Sequence, residues 1–318
     1  MPSAPQEHLL GPSYETQDSS EETQTSNAST NQDAMEQRRT QREARSDSSS
    51  SSEQDQPHHE TVTVAFDDLK PDGKLSLTGI SLESYVLGNI LGAGTLLTIY
   101  FLFINPSRIW RTPAFLSILS LFHFGEFYTY ARWNLKNTKS NSFLTMSNGR
   151  PYTYAMTVAL LETTLTSVFF PAWQARWAHI PLQLLGVVLV VLGQYMRDSA
   201  IATAGVSFNH IVQRQKRSDH VLITSGPYAW CRHPSYFGFY WWAVGTQVLL
   251  GNVISTPLFA LILWRFFFRR IPGEEKALIE MFGDQYIQFR AEKTIGIPLM
   301  GSAVDRVLIK HNVNLSRS

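Results

Sequence analysis

The amino-acid sequence predicts an all-α, polytopic membrane protein with about six transmembrane segments. Three observations support this prediction: apolar segments of near-spanning length recur after residue 80, the first 60 residues hold almost no aliphatic side chains, and the 318 residues include one cysteine. Lys plus Arg number 27 and Asp plus Glu 26, so the net charge of +1 gives no reason to expect a nucleic-acid partner. The single cysteine, Cys231, excludes an intramolecular disulfide, and we expect it to be a small apolar filler.

The first element is a tail. Residues 1–65 are rich in Ser, Gln and Glu, including the serine run at 48–52, and they cannot bury enough apolar surface to fold. They contain no apolar stretch of the signal-peptide type, so membrane insertion depends on later segments. We predict a disordered cytosolic tail over residues 1–65 and an integral-membrane domain over residues 66–318.

Six apolar segments follow the tail. Residues 82–104 form the clearest, since a helix needs about 20 apolar residues to cross a bilayer core. The other segments are residues 113–130, 152–173, 180–196, 236–250 and 253–268. The last two are short and separated only by Gly251-Asn252, which predicts a tight helical hairpin that crosses the bilayer fully only where the membrane is thin or the flanking residues snorkel.

Basic residues predict the orientation of these segments, because short cytosolic connections carry an excess of Lys and Arg. If the tail is cytosolic, the connections on its side carry Arg132, Lys136, Lys139, Arg150, Arg197, Arg214, Lys216, Arg217 and Arg232. The opposite side carries Arg108, Arg111 and Arg176. Both termini and the loop around Arg232 are therefore predicted to lie in the cytosol.

Three ionisable residues fall inside apolar segments: His123, Glu126 and Glu162. Ionisable groups are costly in lipid, so each is a candidate for a specific role. His123 and Glu126 share a helix face, and a metal pair is one interpretation. Hydrogen bonding between helices is the other, and it applies equally to Glu162.

A polar connection and an aromatic turn follow the fourth segment. Residues 204–223 are too polar for lipid and contain His210, Gln213 and His220, while residues 226–240 combine a Gly-Pro turn, several aromatic rings and the pair Arg232-His233. Backbone amides, rings for stacking and nitrogenous side chains are the components of a site for a polar cofactor. Each polar residue alone is more typical of a protein surface, and their convergence on one loop favours the site.

A second polar group follows the hairpin. From Glu274 to Arg290 the apolar residues recur at spacings of three and four, which predicts a C-terminal amphipathic helix that begins at Glu274-Glu275. The carboxylates would then complement the helix dipole. Alternatively, Arg270 and Glu274 project a cation and an anion into a cleft beside the Arg-His loop. Arg265 is expected to extend its charge towards water.

These motifs resemble the isoprenylcysteine carboxyl methyltransferase family. The matching motifs are Ser207-Phe208-Asn209-His210, Gly226-Pro227-Tyr228-Ala229-Trp230, Arg232-His233-Pro234-Ser235-Tyr236, Gly245-Thr246-Gln247, Trp264-Arg265-Phe266-Phe267, Arg270, Glu274-Glu275, and Phe282-Gly283 with Tyr286. The resemblance runs from the first span to near the C-terminus and excludes the tail. Cys231 replaces a common aromatic residue, and Pro272-Gly273 replaces acidic residues.

The resemblance implies transfer of a methyl group from S-adenosylmethionine to the C-terminal α-carboxylate of a prenylated cysteine. It implies substrates among the small GTPases and other CaaX proteins, in the lipid bilayer at the cytosolic face of the endoplasmic reticulum. It also implies that Arg270 faces the substrate carboxylate. The implied cofactor-binding residues are Gln213, His220, Val221, Leu222, Ile223, Tyr228, His233, Pro234, Ser235, Tyr236 and Glu274.

Three other functions remain open from the sequence. Sterol reductases that use NADPH share the Arg-His-Pro-x-Tyr turn, but more spans and a different sequence around Phe282-Gly283 are expected of them. Phospholipid N-methyltransferases share the turn and the methyl-transfer chemistry but use another acceptor. A non-catalytic membrane adaptor is the third alternative, and the presence of both Arg270 and Glu274 argues against it.

Overall fold

The structure is a computed structural model that describes residues 63–145, 147–213, 220–311 and 313. The described residues belong to one compact unit, Val62–Ser318. The predicted tail, residues 1–65, lies almost entirely outside the described residues. Its disorder therefore stays a prediction.

Regular structure in the described residues is helical. The α-helices are α1 (Leu77–Ile99), α2 (Arg111–Trp133), α3 (Arg150–Phe169), α4 (Pro171–Trp177), α5 (Ile180–Ala204), α6 (Pro234–Leu250), α7 (Ser255–Phe282), α8 (Asp284–Glu292) and α9 (Met300–Lys310). A π-helical turn, Tyr100–Ile104, extends α1, and short 3₁₀ turns cover Phe66–Leu69, Arg108–Trp110, Leu135–Asn137, Ser140–Phe143, Gly205–Ser207 and Gly226–Ala229. One isolated backbone bridge pairs Cys231 with Thr294.

The apolar segments predicted from the sequence fall on these helices. By length and composition, two described stretches can cross a membrane, Leu77–Ile104 and Ile180–Ser207. A third candidate is the pair α3 and α4, which is bent by 117° at Phe170. The structure thus supports an all-α membrane protein with two or three clear span candidates, and the count of six remains a prediction.

Local sequence signals set several helix ends. The Ser76 hydroxyl caps α1 by accepting a hydrogen bond from the Gly79 N–H at 3.1 Å. Proline occupies the first turn of α3, α4, α5 and α6. Its missing N–H costs nothing there, because the first N–H groups of a helix have no acceptor within the helix. Gly251 ends α6 in the left-handed conformation at φ 65°, so α6 and α7 form the predicted hairpin.

Close approach between α5 and α6 fixes the base of the loop that follows α5. A Cβ added to Gly193 would lie 2.5 Å from the Trp242 backbone nitrogen, and one added to Gly238 would lie 2.6 Å from the Gly193 carbonyl oxygen. Small residues allow helix backbones to approach closely in membrane proteins. The two glycines therefore hold the start of α6 against the end of α5.

Two apolar clusters flank α6 and α7. One cluster joins α2, α3, α6 and α7 and contains Phe115, Phe122, Met156, Ala159, Trp242, Ala243, Leu250 and Phe259. The other joins α6 and α7 to the C-terminal region and contains Tyr240, Val244, Phe267, Ile271, Ile295, Ile297, Met300, Val304 and Leu308. The hairpin thus lies between two cores, which orients the polar residues at its open end, where α6 begins and α7 carries Arg270 and Glu274.

The predicted helix over residues 274–290 is wrong in its bounds. Helix α7 continues through Pro272 to Phe282, and the break falls at Gly283, where φ is 54°. Tertiary contacts explain the continuation, since Ile271 is fully buried in a core and Glu275 is fixed by ion pairs. Glu274 and Glu275 therefore lie inside a helix and do not begin one, which places Arg270 and Glu274 one turn apart on the same face.

The intramembrane ionisable residues make contacts between elements. His123 donates from Nδ1 to the Phe143 carbonyl at 2.8 Å and accepts at Nε2 from the Tyr152 hydroxyl at 3.0 Å. The Glu162 carboxylate accepts the backbone N–H groups of Ile254 and Ser255, both at 2.8 Å, and so caps the start of α7. Hydrogen bonding between elements is the interpretation that the structure supports for these residues.

Candidate active site

A cavity of about 750 Å³ lies between the polar loops and the helices α3, α5, α6 and α7. The twelve site residues implied by the sequence all line it: Gln213, His220, Val221, Leu222, Ile223, Tyr228, His233, Pro234, Ser235, Tyr236, Arg270 and Glu274. Residues far apart in the sequence thus meet at one surface. Segment 214–219, between two of these groups, lies outside the described residues.

Tyr236 joins Arg270 to Glu274 on the cavity wall. The Arg270 Nε donates to the Tyr236 hydroxyl at 2.8 Å, and that hydroxyl donates to the Glu274 carboxylate. Arg270 Nη2 donates to the His210 carbonyl, whereas Nη1 has no hydrogen-bond partner among the described residues. A guanidinium held on one side and open on the other can receive a carboxylate.

Aromatic rings form a stack beside this chain of hydrogen bonds. The His233 and Tyr236 rings are nearly parallel at 5.5 Å, and Tyr236 stacks on Phe267 at 4.9 Å. The Arg270 guanidinium lies 5.5 Å from the centre of the Tyr236 ring. Stacking and cation–π contact hold Tyr236 in one orientation, which keeps Arg270 and Glu274 at a fixed separation.

The neighbouring carboxylate, Glu275, is fully buried in an ion-pair network. It lies 2.5 Å from Arg232 Nε, 2.5 Å from Arg290 Nε and 3.2 Å from His233 Nε2. Burial alone would raise its pKa, but the hydrogen bond and charge of His233 and the charges of Arg232 and Arg290 outweigh burial and lower the pKa to about 2. Glu275 therefore fixes the Arg-His loop, while Glu274 faces the cavity.

Arg232 has the same structural role. Besides Glu275, its guanidinium donates to the carbonyl oxygens of Arg290 and Lys293. Arg232, counted from the sequence among the basic residues of the cytosolic connections, is buried in this network. The network continues from Arg290 to Asp305 on α9, so the C-terminal helix supports the loop.

The remaining predicted cofactor residues line the cavity from the connection between α5 and α6. Tyr228 donates from its hydroxyl to the Ala200 carbonyl at 3.5 Å, and burial followed by the charge of Glu274 raises its pKa. Residues 220–223 have no regular secondary structure, and the Gln213 side chain donates to the Ile211 carbonyl at 3.2 Å. Cys231 is buried, in agreement with a filler role, and burial raises the pKa of its thiol to about 11.

An apolar arm extends the cavity away from the polar loops. Its buried lining residues include Met156 on α3, Ala243 on α6 and Phe259 on α7. All three belong to one apolar cluster, and we call them the floor of the arm. Phe259 and Arg270 are eleven residues apart on α7, so their backbone positions lie about 16 Å apart along the helix axis at about 1.5 Å rise per residue.

The connection between α2 and α3 supplies a wall that the sequence did not indicate. Lys139, Asn141, Ser142 and Ser147 are among its cavity-lining residues. The Ser140 N–H bonds to the Lys74 carbonyl at 2.8 Å, and Thr145 donates to Glu83, so the segment before α1 and α1 itself hold this connection. Polar residues are common in loops, so nothing in the sequence indicated that these residues line the cavity.

Comparison with known proteins identifies relatives. The profile of the isoprenylcysteine carboxyl methyltransferase family matches residues 185–280, which run from α5 into α7. The protein-S-isoprenylcysteine O-methyltransferase of Saccharomyces cerevisiae is 44% identical over 225 residues, covering 70% of this chain and 91% of the yeast protein. The Homo sapiens protein of the same name is 39% identical over 228 residues, covering 71% of this chain and 77% of the human protein.

A solved structure gives the same result. The structure of a eukaryotic intramembrane Ras methyltransferase, isoprenylcysteine carboxyl methyltransferase, superposes with a TM-score of 0.64 at 37% sequence identity. The superposition covers 70% of this chain and 77% of that chain. Sequence and fold therefore point to the same group of proteins.

Proposed function

The chain belongs to the isoprenylcysteine carboxyl methyltransferase family, and from that premise we propose how its residues carry out the reaction. It is a membrane methyltransferase that esterifies the C-terminal carboxylate of a prenylated cysteine. Membership of the family sets aside the sterol reductase, phospholipid N-methyltransferase and adaptor alternatives. One observation carries the assignment of roles: the Arg270–Tyr236–Glu274 chain lies where a polar loop and an apolar arm meet in one cavity.

S-adenosylmethionine is the proposed methyl donor, and the residues of the polar side fit it. Its ammonium and sulfonium charges suit the carboxylate of Glu274. Its adenine suits the aromatic rings of the loop, and its polar groups suit the irregular backbone of residues 220–223. When bound, it supplies an electrophilic methyl group on a positively charged sulfur.

Arg270 is the proposed residue for positioning the substrate carboxylate. A C-terminal carboxyl group has a pKa of roughly 3.5 and is ionised at neutral pH, so its attack on the methyl carbon requires no general base. Arg270 orients the carboxylate through the part of its guanidinium that faces the cavity. A tighter, bidentate grip on both oxygens would stabilise the ground state and slow the reaction.

With the donor bound, its carbon–sulfur bond would break as the carboxylate oxygen takes up the methyl group, so the residues of this chain would have no proton to move. Water that solvates the carboxylate lowers its reactivity, so the aromatic and apolar walls favour the reaction by excluding it. The structural task of the chain is therefore alignment and desolvation.

The apolar arm is the proposed site for the prenyl group. Each buried methylene contributes about 0.8 kcal/mol, so a prenyl chain strongly prefers an apolar environment. Ile262 and Phe266 line the arm on α7 and are 46% and 49% exposed, which supports a lipid-side opening next to α7. The cofactor enters by the opposite, polar side.

The proposed setting follows from this two-phase site. We propose six membrane segments in residues 66–318, including a partly spanning α6–α7 hairpin, with both termini and the polar loops in the cytosol. The endoplasmic reticulum membrane is the proposed location, and small GTPases and other CaaX proteins are the proposed substrates. The basic residues of the cytosolic connections support the orientation.

A direct assay tests the reaction. Membranes that contain the protein are incubated with methyl-labelled S-adenosylmethionine and N-acetyl-S-farnesylcysteine, and the lipid product is treated with alkali. Label released as methanol is expected, because a methyl ester is alkali-labile. Label that resists alkali, as on nitrogen, or no incorporation at all contradicts the proposed function.

A further inference from the structure

A buried ion pair between α2 and α5 lies behind both halves of the site. Arg197 donates from Nε to Glu126 Oε1 at 2.5 Å and from Nη2 to Oε2 at 2.9 Å. Glu126 is fully buried and Arg197 is 7% exposed. From the sequence, Glu126 is an intramembrane acid without an assigned partner and Arg197 a loop charge; the structure corrects the second interpretation.

Arg197 reaches the cofactor side of the cavity. Its Nη1 donates to the Ser235 hydroxyl at 2.7 Å and to the Ser235 carbonyl at 3.3 Å. Ser235 lies in the first turn of α6, directly after His233 and Pro234. Four hydrogen bonds of the guanidinium thus go to two partners, the Glu126 carboxylate and the start of α6.

Glu126 reaches the substrate side of the cavity. Its Oε2 accepts a hydrogen bond from His210 Nε2 at 3.3 Å, and the carbonyl of the same His210 accepts a hydrogen bond from Arg270 Nη2. The His210 ring also lies 4.7 Å from the Tyr130 ring on α2. The orientation of His210, and through it that of Arg270, therefore depends on Glu126.

We propose that the Glu126–Arg197 pair is a positioning pair that sets the alignment between the cofactor loop and Arg270. One end of the pair fixes Ser235 and the other fixes His210, so a single rigid connection links the two binding regions. Methyl transfer requires the oxygen, the carbon and the sulfur to lie in line, and a displacement of about 1 Å costs about 100-fold in rate. This inference rests on the proposed function.

The test replaces the charge without changing the shape. In Glu126→Gln, we expect kcat per cofactor-binding site to fall by about 100-fold, while KM for N-acetyl-S-farnesylcysteine changes by less than about threefold. Sites are counted by titration with S-adenosylmethionine in detergent, so unfolded protein does not enter the rate. Glu126→Asp, which retains the charge, is expected to recover part of kcat.

A neighbouring acid provides the matched control. Asp198 follows Arg197 on α5, and its carboxylate accepts hydrogen bonds from Gln194 of the same helix at 3.0 and 2.9 Å. Asp198→Asn is expected to leave kcat per site within about twofold of wild type. If Glu126→Gln does not fold, Arg197→Lys carries the same test, because it keeps a buried cation and loses the contact to Ser235.

The outcomes separate this inference from the proposed function. A wild-type protein that forms no methyl ester contradicts the function itself. Active wild type with unchanged kcat per site in Glu126→Gln and Arg197→Lys shows that the pair serves folding alone and overturns the positioning role. Reduced kcat with a preserved count of cofactor-binding sites supports it.

Discussion

Two adjacent glutamates show how position on a helix separates binding from support. Glu274 and Glu275 both lie within α7, and successive helical residues point about 100° apart. Glu274 faces the cavity and bonds to Tyr236, whereas Glu275 faces the buried Arg232 and the half-buried Arg290. Changes at the two positions should therefore affect different properties.

Arg270→Ala is expected to lower kcat/KM for N-acetyl-S-farnesylcysteine by at least about 100-fold, because the carboxylate loses its orienting contact. Affinity for S-adenosylmethionine should change by less than about threefold. Steady-state methylation and calorimetric titration measure the two effects. Arg265→Ala is the control, since Arg265 is exposed and does not line the cavity. Unchanged turnover at saturating substrate would refute the role of Arg270.

Glu274→Ala is expected to weaken S-adenosylmethionine binding by about 10-fold or more, since a hydrogen bond to a charged group contributes about 1.5–3 kcal/mol. Calorimetric titration of purified protein in detergent gives the affinity. Glu280→Ala, an exposed glutamate on the same helix, is the control. Cofactor affinity equal to that of wild type would show that Glu274 is not a ligand.

Glu275→Gln is expected to destabilise the fold, because the buried Arg232 and the half-buried Arg290 both lose a charged partner, at a cost of about 3–5 kcal/mol. The folded-state pKa of Glu275, about 2, lies below the usual value, so its contribution is present above about pH 4.5 and is lost as pH falls towards 2. Thermal unfolding of wild type between pH 6 and pH 3 should show this loss. A wild-type profile as flat as that of the variant would contradict it.

At the scale of elements, the contact between α5 and α6 sets the geometry of the site. Ser235 and Arg197 lie on these two helices, and Gly238 is one turn beyond Ser235. The glycine lets α6 approach the backbone of α5 at Arg197, whose side chain extends to Ser235. The distance between α5 and α6 therefore determines whether Arg197 of the positioning pair can contact Ser235.

Gly238→Ala is expected to reduce both stability and activity. The added Cβ would lie 2.6 Å from the backbone nitrogen of Arg197 and 2.6 Å from the carbonyl oxygen of Gly193. Overpacking of this kind costs about 1–3 kcal/mol. Gly88→Ala is the matched control, since a Cβ there meets no heavy atom within 4 Å. Melting temperature and kcat distinguish the variants. Equal behaviour of the two alanine variants would show that helix separation is not critical.

The helix α7 also shows why element boundaries depend on tertiary contacts. Pro272 and Gly273 together predict a turn, yet α7 continues through both because Ile271 and Glu275 are fixed on either side. A proline removes one backbone hydrogen bond from a helix, and packing outweighs that loss here. The sequence pattern could not weigh those contacts.

At the scale of the whole molecule, the cavity joins a polar and an apolar phase. The polar end is formed by loops from several parts of the chain, and the apolar end by the cluster around α2, α3, α6 and α7. The depth of the arm sets the length of prenyl chain that fits.

Ala243→Leu is expected to shorten the arm, because Ala243 forms its floor with Met156 and Phe259. The ratio of kcat/KM for N-acetyl-S-geranylgeranylcysteine to that for the farnesyl compound should fall by about 10-fold, since the longer chain loses the burial of about two methylenes, or about 1.6 kcal/mol. Val158→Leu, on the exposed face of α3, is the control. An unchanged ratio would show that the chain end lies elsewhere.

The sequence by itself determined the helical class, the positions of the apolar segments and the residues of the polar side of the site. Those features depend on composition and on short motifs, which local physical chemistry sets directly. Gln213, Tyr228, His233 and Glu274 meet at one cavity as the motifs implied. Their binding roles remain predictions.

Only the tertiary structure decided the continuous α7, the wall that contains Lys139, Asn141, Ser142 and Ser147, the floor of the apolar arm and the Glu126–Arg197 pair. Each depends on contacts between residues far apart in the chain; Glu126 and Arg197, for example, are 71 positions apart. The sequence alone does not show whether a charged residue faces water or is buried against another helix. Packing decides which partner it has, because a charge removed from water must be paired or strongly destabilises the fold.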